Sequence, residues 1–298
     1  MISGYNHLTQ QQENTWIFNA AGNSWQVWDK PDGCNMIHVV VIGAGSGGGG
    51  GYQRVATANG GGGGGGVAGG ISTMMIPAYA IPDKLHILVG AGGAGGANLA
   101  AGGSGSTTYV GLLPDTSNLL ANILIRNFHA STGGLPGSAT GGSGGGAGGV
   151  QTTAPFTGWG KNNLSIVPAQ SGQAGTTPSS PSNQARMIGG GAAGAFAAAS
   201  TEVEGRTVIS FYKQSGARTV SQGQLLGVSG KAGNGPNLIS PQPQFFAGAG
   251  GAAIITTNTV NGGDGGIGCG GGGAGVNLTG GTGVGGRGGD GMVIITCW

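Results

Sequence analysis

The stretch His38-Val39-Val40-Val41-Ile42-Gly43-Ala44-Gly45-Ser46-Gly47-Gly48 decides how the rest of the chain is read. Its first half is a β-branched run, which is stiff at χ1 and suits a pleated strand better than a helix. Its second half is glycine, broken only by Ala44 and Ser46. A continuous apolar run bounded by glycine predicts a strand buried on both faces. The unit returns as His86-Ile87-Leu88-Val89-Gly90-Ala91-Gly92, about 50 residues later. A strand running straight into glycine, twice, ties the glycine to folded architecture.

The same stretch matches the spacing G-x-G-x-x-G at Gly43, Gly45 and Gly48. A dinucleotide site needs that loop to open a helix whose N-terminus meets the pyrophosphate, with an acidic residue about 20 residues on. Here Gly49-Gly50-Gly51 follows, residues 52–59 are too few for a crossover helix, and the next acid is Asp83. In a chain with 74 glycines among 298 residues the match is expected by chance, and no cofactor is expected.

Glycine tracts recur at 43–51, 60–70, 90–96, 141–149, 189–194, 262–275 and 280–291. By composition alone such a chain reads as low complexity. Ordering 74 glycines costs on the order of 100 kcal/mol of backbone entropy, which no side chain within the tracts can offset. Backbone hydrogen bonding between tracts lying side by side remains. Extended helices of the polyproline-II type allow it, because no Cβ holds neighbouring backbones apart. A homo-oligomer, a trimer among the arrangements, would complete such a lattice.

Further strands are expected at Leu85–Val89, Thr107–Gly111, Asn122–Phe128, Thr207–Tyr212 and Met292–Thr296, beside Ile37–Ile42. Each is short, β-branched or aromatic, and bounded by Gly, Pro, Asp or Asn. Only Met187–Ser200 could host a helix. The expected fold is mainly β: a short-stranded, sandwich-like core with packed glycine tracts of polyglycine-II type and little or no α-helix. Residues 1–36 differ, with Trp16, Trp25 and Trp28 but only three glycines. They read as an N-terminal docking segment or as the plug of a small β core. Residues 37–298 form the glycine-rich β domain, with inserted loops at 151–187 and 213–246.

The charge balance is 11 basic against 9 acidic residues, without a basic stripe or an acidic tail. Nucleic acid is therefore not an expected partner. No apolar stretch is long enough to span a bilayer, so membrane insertion is not expected. Met1–His7 has neither a basic nor an apolar region of signal type, which predicts synthesis in the cytoplasm. Three cysteines (Cys34, Cys269 and Cys297) are too few for a disulfide scaffold and lack metal-ligand spacing. Cys34 precedes one strand and Cys297 ends another, so antiparallel pairing would bring them together; three free thiols are the alternative.

No catalytic arrangement emerges, and the chain is read as a non-enzyme. Glu202 and Glu204 are the one close acidic pair, with nothing nearby to complete a site. Asp264 and Asp290 sit in Gly-Gly-Asp-Gly segments that resemble calcium repeats. A calcium site needs six to eight oxygens in series, so turn residues accepting backbone N–H bonds are the better reading, and no metal is expected. His38 and His86 occupy equivalent repeat positions, which favours a structural role. Phe156, Trp159, Phe245 and Phe246 stand among Thr, Ser, Pro, Asn and Gln, a composition suited to binding by rigid aromatics and adaptable polar groups.

Four stretches in order resemble the glycine-rich domain of tailed-bacteriophage virion proteins, tail fibres and fibre-tip adhesins above all. They are Trp28–Gly45, Ile81–Gly93, Gly102–Gly111 and the closing Gly288–Thr296. The resemblance covers roughly residues 25–298. It implies a sandwich of polyglycine-II helices whose intervening segments touch a receptor on the host cell surface. The chain departs from the pattern at 112–135 and 201–246, which are comparatively poor in glycine.

The resulting expectation is a virion structural protein on the outer surface of the particle, a tail-fibre or receptor-binding component. A capsid or tail decoration (cement) protein is the alternative. Trp16, Trp25 and Trp28 would dock to other virion proteins, and Phe156, Trp159, Phe245 and Phe246 would contact the receptor.

Overall fold

The β-branched run does form a strand, Met36–Ile42, and it lies inside a five-stranded antiparallel sheet. The computed structural model describes residues 14–55, 57–117, 119–127, 133–139 and 248–298. It also describes short pieces at 164–167, 182–184, 191, 193–194, 196–197, 202, 204–205, 208–210, 218–220, 237–238 and 244–245. Phe156, Trp159, Phe246 and most of loops 151–187 and 213–246 lie outside the described residues.

In chain order the first strands are β1 (Thr15–Asn19), β2 (Gln26–Asp29), β3 (Met36–Ile42), β4 (Tyr52–Arg54), β5 (Gly60–Gly61) and β6 (Ile71–Pro77). Next come β7 (Lys84–Leu88), β8 (Thr108–Gly111), β9 (Ile123–Asn127), β10 (Leu164–Val167), β11 (Ser182–Gln184) and β12 (Phe196–Ala197). The series ends with β13 (Val208–Ser210), β14 (Arg218–Val220), β15 (Asn237–Leu238), β16 (Gln244–Phe245), β17 (Val276–Leu278) and β18 (Met292–Cys297). The described α-helix is one turn, Leu119–Asn122. Met187–Ser200 is not helical where it is described. Gly191 and Gly194 donate to the Gly66 and Gly63 carbonyls, and β12 pairs with β5, because small residues there let backbones meet.

Two sheets face each other. The first runs β1-β18-β3-β6-β10 and the second β2-β7-β8-β9, with antiparallel neighbours throughout. Ile37, Val39, Val41, Ile76, Val293 and Ile295 of the first close on Trp28, Leu85, Ile87, Val110 and Ile125 of the second. Each such side chain contributes about 1.5–3 kcal/mol on burial. Val40 alternates outward and is half-buried, so the valine run is not buried on both faces as expected. The outer face of the first sheet has no second layer over it among the described residues.

Beyond the sandwich, β3 continues directly into residues 43–51, and β7 into residues 90–97. Tract 43–51 is the axis of the lattice. Gly43, Ser46 and Gly49 donate to the carbonyls of Gly70, Val67 and Gly64. Gly45, Gly48 and Gly51 donate to Gly289, Gly286 and Gly283, while Gly47 and Gly50 donate to Gly103 and Ala100. Every third N–H thus meets the same antiparallel neighbour, the three-residue turn of a polyglycine-II helix.

The carbonyls obey the same rule toward parallel neighbours. Those of Gly45, Gly48 and Gly51 accept from Gly93, Gly96 and Leu99. Those of Ser46 and Gly49 accept from Gly271 and Ala274, and those of Gly47 and Gly50 from Gly134 and Gly137. Three donor directions and three acceptor directions make six neighbours, at N···O distances of 2.8–3.1 Å. This is how glycine, with no side chain to bury, satisfies its backbone in a dry interior. The sequence repeat has its counterpart here, since the tracts after β3 and β7 lie side by side and parallel.

Candidate functional site

The lattice gives the molecule two poles: the β sandwich at one end, and at the other the short connectors between tracts. The connectors are residues 52–59, 97–100, 255–259 and 277–281, rich in Asn and Thr. Such residues bond to backbone locally and so favour turns over regular structure.

Amide side chains lock this loop pole. Asn98 Nδ2 donates to the Gly281 carbonyl at 3.0 Å, and its Oδ1 accepts the Gly283 N–H at 2.5 Å. Gln53 Nε2 donates to the same Gly281 carbonyl at 2.6 Å. Asn277 Nδ2 reaches the carbonyls of Thr282 at 2.9 Å and Asn258 at 3.3 Å. β4 and β17 pair in parallel across the tip, with Gln53 opposite Asn277.

Arg54 of β4 is buried, and its guanidinium donates to the Ala58 carbonyl at 3.0 Å. Burial lowers its pKa, and the charge of Glu202 opposes that shift. Glu202 in turn accepts the Ile255 N–H at 3.0 Å, so it ties the connector 255–259 down and is engaged structurally.

Against this fixed background three apolar side chains stand out: Val55 is 61% exposed, Leu99 55% and Ile255 41%. Leu99 also has φ of 59°, a left-handed conformation that a bulky residue rarely adopts. It is held there by its N–H bond to the Gly51 carbonyl and by the Asn98 clamp beside it. Such strain persists only where the surrounding structure over-determines the backbone. The composition of the tip does not announce these residues; Gly96-Ala97-Asn98-Leu99-Ala100, one interruption between two tracts, is the nearest signal.

The sequence-based candidates fall elsewhere. Trp28 is 1% exposed and lies in the core between the sheets, so its indole is closed to any docking partner. The Trp16 ring meets it edge-on, 5.6 Å away at 77°, and packs against the same core. Trp25 remains partly exposed, just before β2. Residues 15–19 and 26–29 are strands of the two sheets, which builds most of the segment expected to dock into the sandwich. Phe245 lies in β16; Phe156, Trp159 and Phe246 are outside the described residues.

The remaining motifs resolve into lattice chemistry. The N–H groups of Gly45, Gly47 and Gly48 are committed to carbonyls, so the G-x-G-x-x-G stretch offers no cradle for phosphate. Asp264 accepts the Arg287 N–H at 2.7 Å and Asp290 accepts the Gly92 N–H at 2.8 Å, as backbone caps. Arg287 and Asp290 also form an ion pair. Among the described residues no three His, Cys, Asp or Glu side chains come together in a metal-binding group. No described helix is long and apolar enough to cross a membrane.

Comparison with known proteins agrees with this architecture at the level of family. No curated protein matches the chain. The profile of the glycine-rich domain matches residues 19–298, nearly the whole of the sandwich and lattice, and the chain therefore belongs to the glycine-rich domain family.

Proposed function

We propose that the chain is a structural protein of a tailed-bacteriophage virion and serves as a tail-fibre or receptor-binding component. The observation that carries this reading is the axial tract 43–51, bonded on six sides and joining the β pole to the loop pole. A backbone clamped in every direction is a stiff mount. Stiffness matters where a recognition surface must be held away from a particle, because a preorganised surface loses less entropy on binding.

In this arrangement the β pole faces other virion proteins, through exposed apolar side chains such as Tyr79, at 89%, and Trp298, at 45%. The loop pole, with Val55, Leu99 and Ile255, faces a host cell-surface receptor, and the aromatic-bearing segments 151–187 and 213–246 are assigned the same role from their composition alone. Many copies on one particle let weak contacts add through effective concentration.

The test is adsorption of particles to host cells. One variant replaces 151–163, ahead of β10, and a second carries V55S, L99G and I255S, each checked for a melting transition no lower than that of the parent chain. Lost adsorption with an intact lattice supports the reading. Undiminished adsorption in both rejects it. Copy number separates the fibre role from decoration: a handful of copies per particle fits a fibre tip, and hundreds fit a cement protein.

A further inference from the structure

We propose that Cys34 and Cys297 are a disulfide pair that closes the β pole into a covalent ring when the protein meets an oxidant. The geometry begins with the strand register. Cys297 ends β18 opposite Ile37 of β3, faces the sandwich core and is 3% exposed. One residue on, Trp298 and Met36 exchange both backbone bonds, at 3.1 and 3.0 Å, and Asn35 donates to the Trp298 carbonyl at 2.8 Å. These three bonds hold residues 34–36 directly against the end of β18.

Cys34 comes just before, in the turn after Pro31-Asp32-Gly33, and packs on the same apolar cluster that contains Cys297. The Cys34 thiol donates to the Met36 carbonyl at 3.6 Å, and it lies close enough to Cys297 to raise that thiol's pKa. Both are free in this structure, as is Cys269. Cys269 is excluded from the pair by its place in the lattice, where its backbone bonds to Gly266 and Gly289 and it is fully buried.

The chemistry is thiol–disulfide exchange with a small-molecule disulfide such as oxidised glutathione. The half-buried Cys34 thiolate attacks it, forms a mixed disulfide and releases one glutathione thiolate. Cys297 then loses its proton to solvent and attacks Cys34 Sγ, and the second glutathione leaves. The product is one Cys34–Cys297 bond and two reduced glutathiones, with the two electrons accepted by the oxidant. Burial first, and then Cys34, push the Cys297 thiol up to about 12. Since the thiolate is the nucleophile, ring closure is the slow step near neutrality and accelerates as pH rises.

The bridge would enclose almost the entire chain, from before β3 to the end of β18. A loop of that length removes more entropy from the unfolded chain than a short one. Its ends are also the places where unravelling would begin, because β1, β3 and β18 are neighbours in one sheet.

The experiment is intact-mass and peptide mapping of the full chain, under non-reducing conditions, before and after oxidised glutathione at pH 8.5. The expected product has lost two hydrogen atoms, carries no glutathione, and yields a linked peptide pair holding Cys34 and Cys297 with Cys269 free. Its melting temperature should rise by about 5 °C over the reduced protein. C34S, which alters only a half-buried side chain, should melt like the reduced protein and show no rise. Three free thiols after oxidation, a persistent glutathione adduct on Cys34, or a bridge containing Cys269 would each overturn the proposal.

Discussion

Gly48 faces the carbonyl oxygen of Gly272 so closely that a methyl group on Gly48 would overlap it. The obstacle is backbone: the Gly272 N–H donates to the Gly263 carbonyl at 2.8 Å and its own carbonyl accepts the Gly286 N–H at 2.7 Å, so it cannot rotate aside as a side chain would. Gly48→Ala should therefore cost about 3 kcal/mol or more, as overpacking in a rigid interior does. Gly22 has φ of 61° and open space around it, so Gly22→Ala is strained without a clash and should cost about 1 kcal/mol. Thermal melts of the two variants check the contrast, and equal losses would contradict a rigid lattice.

Thr108 links the two places where a strand becomes a glycine tract. Its hydroxyl donates to the Ile42 carbonyl at 3.0 Å and accepts the Gly90 N–H at 3.1 Å, and the residue is fully buried. Thr108→Val keeps the shape and strands both backbone groups, at an expected cost of about 2–4 kcal/mol. Amide hydrogen exchange should show Gly90 losing protection before the melting transition moves.

Two tryptophans that look alike in sequence should behave differently. Trp28→Ala empties a fully buried site in the sandwich and should cost about 3–5 kcal/mol. Trp25→Ala removes a partly exposed ring and should leave stability within about 1 kcal/mol. If Trp25 docks to the particle, its variant folds normally and is under-represented in assembled particles.

Leu99 should repay replacement by glycine. Leu99→Gly relieves a left-handed backbone at an exposed position and should stabilise the chain by about 1 kcal/mol. The same change should weaken adsorption if the loop pole binds the receptor. A stabilised variant with full adsorption would remove Leu99 from the binding surface.

His38 gives stability a pH slope. Burial lowers its pKa below 6.5, so the unfolded chain takes up the proton first. Stability therefore falls as pH drops through 6.5 toward the folded-state value, and is fully present above it. His38→Gln should flatten that part of the profile, measured as melting temperature against pH.

Much of the sandwich was legible because β-branched runs bounded by glycine leave little choice, as at Met36–Ile42, Lys84–Leu88 and Met292–Cys297. Three strands carry weaker signals. Thr15–Asn19 and Gln26–Asp29 are short, with polar residues facing out, and Ile71–Pro77 mixes Ser, Thr and Met with a terminal proline. The side-by-side glycine tracts follow from the cost of ordering them, but which tract neighbours which does not. Those contacts run backbone to backbone, and a backbone bond leaves no mark on residue identity. The Asn98 and Asn277 clamps are hidden for a related reason: an asparagine between glycine tracts looks like an ordinary turn. Tryptophan content misleads at Trp28, since a large aromatic suits a core as well as a contact surface.

The place of β18 has a consequence for how the protein comes into being. β18 fills the slot between β1 and β3, and residues 283, 286 and 289 accept bonds from the axial tract. A ribosome making the chain from its N-terminal end must therefore reach residue 297 before the first sheet or the lattice can close. Until then β1 and β3 present open edges, and the N–H groups of Gly45, Gly48 and Gly51 have no carbonyl waiting. The second sheet, β2-β7-β8-β9, needs nothing beyond residue 127, but the first sheet and the lattice close last, through contacts between distant residues, which are slow to find. Production in a cell would thus be limited by protection of the waiting chain more than by the stability of the finished one.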